Sequence, residues 1–427
     1  MYEAIGQEVC EATLDSGLSV VLLKKPGYQR QFLTFSTHYG GMDSKFVRPG
    51  ESEVTEVPDG IAHFLEHKLF EEPDGTNVLD KYSRMGASPN AYTGPNYTVY
   101  LCSLVDRFDE GLDLLLDYVQ RPYFTDENVA KEQGIIGQEI QMGLDSPHRM
   151  VYYNFLESLY QRHPARIRVI GSIESINRIT KELLYLCHDT FYHPSNMIVV
   201  VAGDVEFERV FDLVHKDMSE RGYERRGPIE RVIDDEPAEA AQPEVRHKMK
   251  VSRPHVLLGF KGNLDPEAGD DPKALQRKRI AGELALEAVL GKSTDLYWSL
   301  YEKSVIASGY GYGLTVYPKA AHFAVGAESE DADAFRDRIT EALARAADKG
   351  VDPDRFEEAR RREIGALAGA LDDPQLLVHL YTVYRFQGLD ILDRRELLDQ
   401  VDVEEGTRFL RRFVGEKNRT FSVVEPL

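Results

Sequence analysis

The chain carries the same helical scaffold twice, and only the first copy places polar residues at its centre. Ile61-Ala62-His63-Phe64-Leu65-Glu66-His67 aligns without gaps to Ile280-Ala281-Gly282-Glu283-Leu284-Ala285-Leu286. Residues 126–147 align in the same way to residues 353–374, both charged helical stretches that end in LDSP or LDDP. In this register His63, Glu66 and His67 become Gly282, Ala285 and Leu286, and Glu132 and Glu139 become Ala359 and Ala366. A duplication predicts two similar units, each with its own core, and 427 residues is also too long for one ordinary core. A copy that keeps the scaffold without the five polar residues implies that they serve something other than folding.

His63, Glu66 and His67 form the pattern H-x-x-E-H. On a helix, positions i, i+3 and i+4 share one face. Two imidazoles at i and i+4 can grip one zinc ion, and the carboxylate between them can act as general base on the attacking water. Projected at 100° per residue, Ile61, Phe64, Leu65 and Leu69 fall on the opposite side, so the helix buries one face and turns the histidines toward a site. Asp59 is the expected N-cap. A catalytic zinc site needs a third protein ligand and an open position. Glu139, on the predicted long helix Thr125–Leu144, is the candidate ligand. Glu132 lies two turns earlier on the same face and suits a role in holding a ligand or the water in place. The plain alternative for each Glu is a solvated helix face. Their joint loss from the second half favours a site.

The pattern along the chain is α+β. A hairpin is expected over 8–24, a strand over 31–39, a strand–turn–strand over 86–100 and a core helix from Asp106 to Val119 with Leu112, Leu115, Leu116 and Val119 inward. A buried strand is expected from Met197 to Ala202. Residues 222–248, with three prolines and dense charge, read as an exposed linker. This divides the chain into a catalytic domain over 1–221, the linker, and a second domain over 249–427. The second half starts with a strand over 255–260 and a helix over 272–291. A Gly/Tyr-rich strand pair, three helices and a closing strand follow.

A formal net charge of −21 argues against nucleic acid and anionic membrane surfaces as partners. Cys10, Cys102 and Cys187 make neither a disulfide framework nor a metal-ligand spacing. The N-terminal residues lack the basic and apolar regions of a signal peptide. The expected compartment is a reducing cytoplasm.

HFLEH at 63–67 with Glu132 and Glu139 on a later helix resembles the pitrilysin/insulinase family of inverzincin metallopeptidases, which includes mitochondrial processing peptidase. Asn90-Ala91-Tyr92-Thr93 resembles the family's substrate-binding edge strand. Gly171-Ser172-Ile173-Glu174, Phe191-Tyr192-His193-Pro194 and Ala202-Gly203-Asp204 resemble the close of its first domain. The resemblance implies two homologous domains, each a sheet packed against helices, together forming half of a clam-like chamber. It implies one Zn²⁺ per chain on His63, His67 and Glu139, with Glu66 as catalytic base, Glu132 in support and an unfolded peptide or flexible segment as substrate. One departure stands out: Ser293-Thr294-Asp295-Leu296-Tyr297 has Asp295 where relatives often carry an Arg that contacts substrate, and neither Tyr310 nor Tyr312 clearly matches the accompanying Tyr. The resemblance then implies a zinc subunit completed by a homologous zinc-free partner, with a homodimer as runner-up. A non-catalytic assembly subunit and a hydrolase acting on something other than peptide are the competing expectations.

Overall fold

The computed structural model describes residues 6–267, 271 and 273–427. Residue 272, the expected start of the helix in the second half, lies outside them. That helix is described as Ala274–Leu290.

The described chain forms two compact units. The first comprises Met1–Ile140, Ile167–Val232 and Ala368–Leu392. It holds β1 (Val9–Thr13), β2 (Ser19–Lys24), β3 (Gln31–Thr37), β4 (Lys45–Val47), β5 (Val54–Glu56), β6 (Ser88–Thr93), β7 (Thr98–Leu104), β8 (Met197–Gly203) and β9 (Glu230–Arg231). Six of these form one sheet in the order β1-β2-β8-β3-β7-β6, leaving β6 at an edge. All seven residues of β8 are buried, as expected of the apolar run MIVVVAG between two neighbouring strands. The core helix Phe108–Gln120 turns Leu112, Leu115, Leu116 and Val119 fully inward.

The second unit comprises Gln141–Arg166, Ile233–Leu367 and Asp393–Leu427. Its strands are β10 (Glu244–Met249), β11 (His255–Gly262), β12 (Ile306–Tyr317), β13 (Ala320–Ser329) and β14 (Arg419–Pro426), in the order β10-β14-β11-β13-β12. The first pairing, β10 with β14, is parallel and the other three are antiparallel. The run β2-β8-β3-β7-β6 has the same order and the same senses. The duplication seen in the sequence is therefore a duplication of sheet topology.

The units do not follow a linear boundary at 222–248, because each takes a helix from the other half of the chain. The helix Pro374–Phe386 packs on β3 and β8 of the first unit, and the helix Pro147–Leu159 packs on β11 and β14 of the second. The second helix is seated by its side chains: a Cβ at Gly259 of β11 would stand 2.4 Å from the ring of Phe155. Residues 222–248 are also not a plain exposed linker. They supply β9 and the start of β10, and the Glu236 carboxylate accepts backbone N–H bonds from Gln161, Arg162 and His163 while pairing with Lys261. Dense charge there is partly internal ion pairing, which composition cannot distinguish from solvation.

Candidate metal centre

The motif lies on the helix Ile61–Lys68, with Ile61, Phe64 and Leu65 buried beneath it as the projection requires. Its N-cap is Gly60, not Asp59, and no side chain caps it. Gly60 sits at φ 90°, and a Cβ there would lie 2.6 Å from the carbonyl oxygen of Ile170; one at Gly171 would lie 2.6 Å from that of Asp59. Close backbone apposition sets this helix start, and glycine permits it.

The helix Asp126–Leu144 brings the carboxylates. Glu139 Oε2 lies 3.8 Å from Nε2 of His63 and 3.7 Å from Nε2 of His67. Each of the three residues brings one ligand atom to within 4.8 Å of the others. Two imidazole nitrogens and one carboxylate oxygen are the donor types a catalytic zinc takes, and three protein ligands leave a position open. Both Nε2 atoms face the same carboxylate, so the residues present fit the ion. Glu132 Oε1 meets Nδ1 of His67 at 3.0 Å, and its Oε2 lies 3.5 Å from Nζ of Lys68.

Glu66 is buried beside the two histidines, and Thr93 donates its hydroxyl to Glu66 Oε2 at 2.6 Å. Burial pushes the Glu66 carboxyl up, and the Thr93 hydrogen bond opposes the rise. Burial, with His67 alongside, pushes His63 down to about 3, so its imidazole is neutral. In His67 burial acts downward, but the hydrogen bond and charge of Glu132 outweigh it and the pKa rises. For Glu132 burial acts upward, and His67 and Lys68 more than cancel it.

At the end of the edge strand Thr93 and Tyr92 leave opposite faces, as neighbours on a pleat do. Thr93 reaches Glu66, and Asn90 and Ala91 line, with Glu66, His67, Glu132 and Ile135, a groove of about 570 Å³. Tyr92 points the other way, its hydroxyl 2.6 Å from Nδ1 of His379 on the helix Pro374–Phe386. Two contacts here, those of Lys68 and of the Thr93 hydroxyl, were not anticipated from sequence. Lys68 is fully buried and pairs with Glu71 and Glu132; it stands seven residues after Ile61, on the helix's buried face, where a lysine needs an acidic partner. The Thr93 hydroxyl contact joins residues 27 apart, which no local pattern encodes.

The second copy fills the equivalent positions by packing. Gly282, Ala285 and Leu286 are buried, and a Cβ at Gly282 would lie 2.6 Å from the Phe409 ring. In that unit Asp295 opens the helix Asp295–Glu302, Tyr310 donates to the carbonyl of Leu290 at 2.7 Å, and Tyr312 bonds Glu287. Among the described residues, no helix is long and apolar enough to cross a membrane.

Two family models match the chain. Residues 47–172 match "Insulinase (Peptidase family M16)" and residues 178–363 match "Peptidase M16 inactive domain". The chain is 36% identical over 425 residues to the uncharacterized zinc protease YmfH of Bacillus subtilis, covering 100% of this chain and 98% of that protein. It is 25% identical over 344 residues to the uncharacterized zinc protease YmxG of the same organism, covering 77% and 78%. Its fold matches an M16-like peptidase from Alicyclobacillus acidocaldarius with a TM-score of 0.93 at 33% identity, over 99% of each chain.

Proposed function

Because the chain belongs to peptidase family M16, the insulinase family, we propose that it is a zinc-dependent endopeptidase acting on unfolded peptides or flexible protein segments. The observation that carries this reading is the convergence of His63, His67 and Glu139 beside Glu66, with His67 and Glu66 lining a groove that the edge strand walls. Zinc, when bound by those three residues, supplies Lewis-acid activation of the attacking water and the scissile carbonyl. Glu66 takes a proton from that water and later delivers it to the departing amine. Thr93 fixes the direction of the Glu66 carboxylate, and Glu132 fixes the ring of His67. The free edge of β6 offers main-chain donors and acceptors to an extended peptide, which binds as an added strand with limited side-chain selection.

The Asp295 departure supports a heterodimer with a homologous zinc-free subunit, as in bacterial two-domain relatives of mitochondrial processing peptidase. A homodimer is the alternative assembly. Three free cysteines support a reducing, cytoplasmic setting. The deciding experiment is zinc analysis of the purified chain, followed by digestion of a mixed peptide library before chelation, after it, and after zinc is restored. Cleavage that follows zinc supports the peptidase reading. Zinc without cleavage, alone or with the candidate partner, replaces it with the assembly-subunit reading. Full activity of the chain alone removes the partner requirement.

A further inference from the structure

We propose that His148, His255 and Glu328 form a second divalent-cation site, separate from the catalytic one and suited to zinc. Each brings one ligand atom to within 4.8 Å of the others, the same closeness that His63, His67 and Glu139 achieve. The three come from three segments of the second unit. His255 and Glu328 are directly paired across β11 and β13, so their side chains leave the same face of the sheet. His148 is the second residue of the helix Pro147–Leu159, and its ring stands 4.5 Å from that of His255 at an interplanar angle of 75°. Among the described residues, none of these three side chains has a hydrogen-bond or ion-pair partner outside the set. Imidazole and carboxylate together select a borderline transition ion over calcium or magnesium. Tetrahedral zinc would draw the ligand atoms to about 3.3 Å apart, from bond lengths near 2.0–2.2 Å, and exposed His148 has room to rotate.

The internal repeat supplies a control. Asn196 and Asn418 immediately precede equivalent strands: each side chain bonds the carbonyl of a phenylalanine five residues earlier, Phe191 or Phe413, and a carbonyl at or just past the end of the neighbouring strand, His38 or Lys261. Six residues on, Ala202 pairs with Phe32 and Val424 pairs with His255. Phe32 in turn pairs with Ser103, as His255 pairs with Glu328. The alignment of 126–147 with 353–374, continued by one residue, sets Gln375 against His148. The first unit thus has Phe32, Ser103 and Gln375 where the second has His255, Glu328 and His148. The sheet and its covering helix form without the ligands, so the fold does not require them. An ion held here would clip the start of the helix Pro147–Leu159 to its sheet.

The test is a zinc titration of the chelator-stripped full-length chain, with bound metal counted by plasma emission after gel filtration. The expected result is two equivalents for the wild-type chain, one for H148A, one for E328Q and one for H63A/H67A. Because His148 is exposed, circular dichroism of H148A should match the wild type. Equal zinc uptake by H148A, E328Q and the wild type overturns the proposal, as does loss of all zinc from H63A/H67A while that chain remains folded. That second pattern would uphold zinc binding by His63 and His67 and leave no second site. One equivalent in the wild type that survives H63A/H67A but vanishes in H148A would uphold this site and remove the catalytic one.

Discussion

Glu132 Oε1 stands 3.0 Å from Nδ1 of His67, on the far side of the ring from the Nε2 that faces Glu139. The contact makes Nδ1 the protonated nitrogen, leaves the Nε2 lone pair for a metal and orients the ring. Glu132→Gln keeps the shape and removes the charge. It should weaken zinc binding by about 10- to 100-fold, read by competition with a chromophoric chelator. An unchanged zinc affinity would show that His67 needs no such support.

Glu66 is adjacent to His67 yet is held by Thr93 and not by the ligand set. Glu66→Gln should retain the full zinc content while the turnover number falls by ~10²- to 10⁴-fold, the usual worth of a positioned acid–base group. Peptide turnover at the wild-type rate, with zinc in place, would rule Glu66 out as the base.

Thr93 acts through Glu66, so its removal should tell on kcat and little on KM. A hydrogen bond to a charged group contributes roughly 1.5–3 kcal/mol, so Thr93→Val should lower kcat by about 10- to 100-fold. Thr93→Ser keeps the hydroxyl and should recover most of the loss. If serine fares no better than valine, the methyl group and not the hydrogen bond is what matters.

The helix projection identified the buried face of Ile61–Lys68 because 3.6-residue periodicity is local, and the repeat singled out the polar residues that the second copy lacks. The convergence of His63 and His67 was legible for the same reason. The Thr93–Glu66 contact was not, because two distant segments meet there only after the edge strand is placed. Asp59 was the expected cap on residue preference, but backbone apposition of Gly60 with Ile170 overrode it. The exchanged helices Pro147–Leu159 and Pro374–Phe386 were also invisible, since an amphipathic pattern gives the buried face and not the sheet it covers.

Gly60 joins two demands, a left-handed φ and a carbonyl in the space a side chain would fill. Gly60→Ala should destabilise the chain by at least ~2 kcal/mol, adding a clash to the left-handed penalty of 1–2 kcal/mol. The measurement is urea unfolding of the metal-free protein. A loss below 0.5 kcal/mol, on the order of an ordinary surface change, would mean the helix start yields easily.

His322 tests acid stability apart from the candidate metal centre. It is buried in the second unit with Tyr160 Oη 2.9 Å from its Nδ1, and burial, aided by nearby His163, pushes it down to about 3. In the unfolded chain it titrates near 6.5. Between those values the unfolded state binds the extra proton, so stability rises with pH across the window and falls on acidification from 6.5 toward 3. At pH 5 this single group should cost about 2 kcal/mol relative to pH 7. His38 and His188 are depressed in the same way, to about 3 and about 4, and steepen the total slope. Urea unfolding of the chelated chain at pH 7 and pH 5 measures that slope. His322→Gln should reduce the difference by about 2 kcal/mol, whatever its effect at pH 7. An unchanged slope would mean that His322 titrates in the folded chain as it does in the unfolded one.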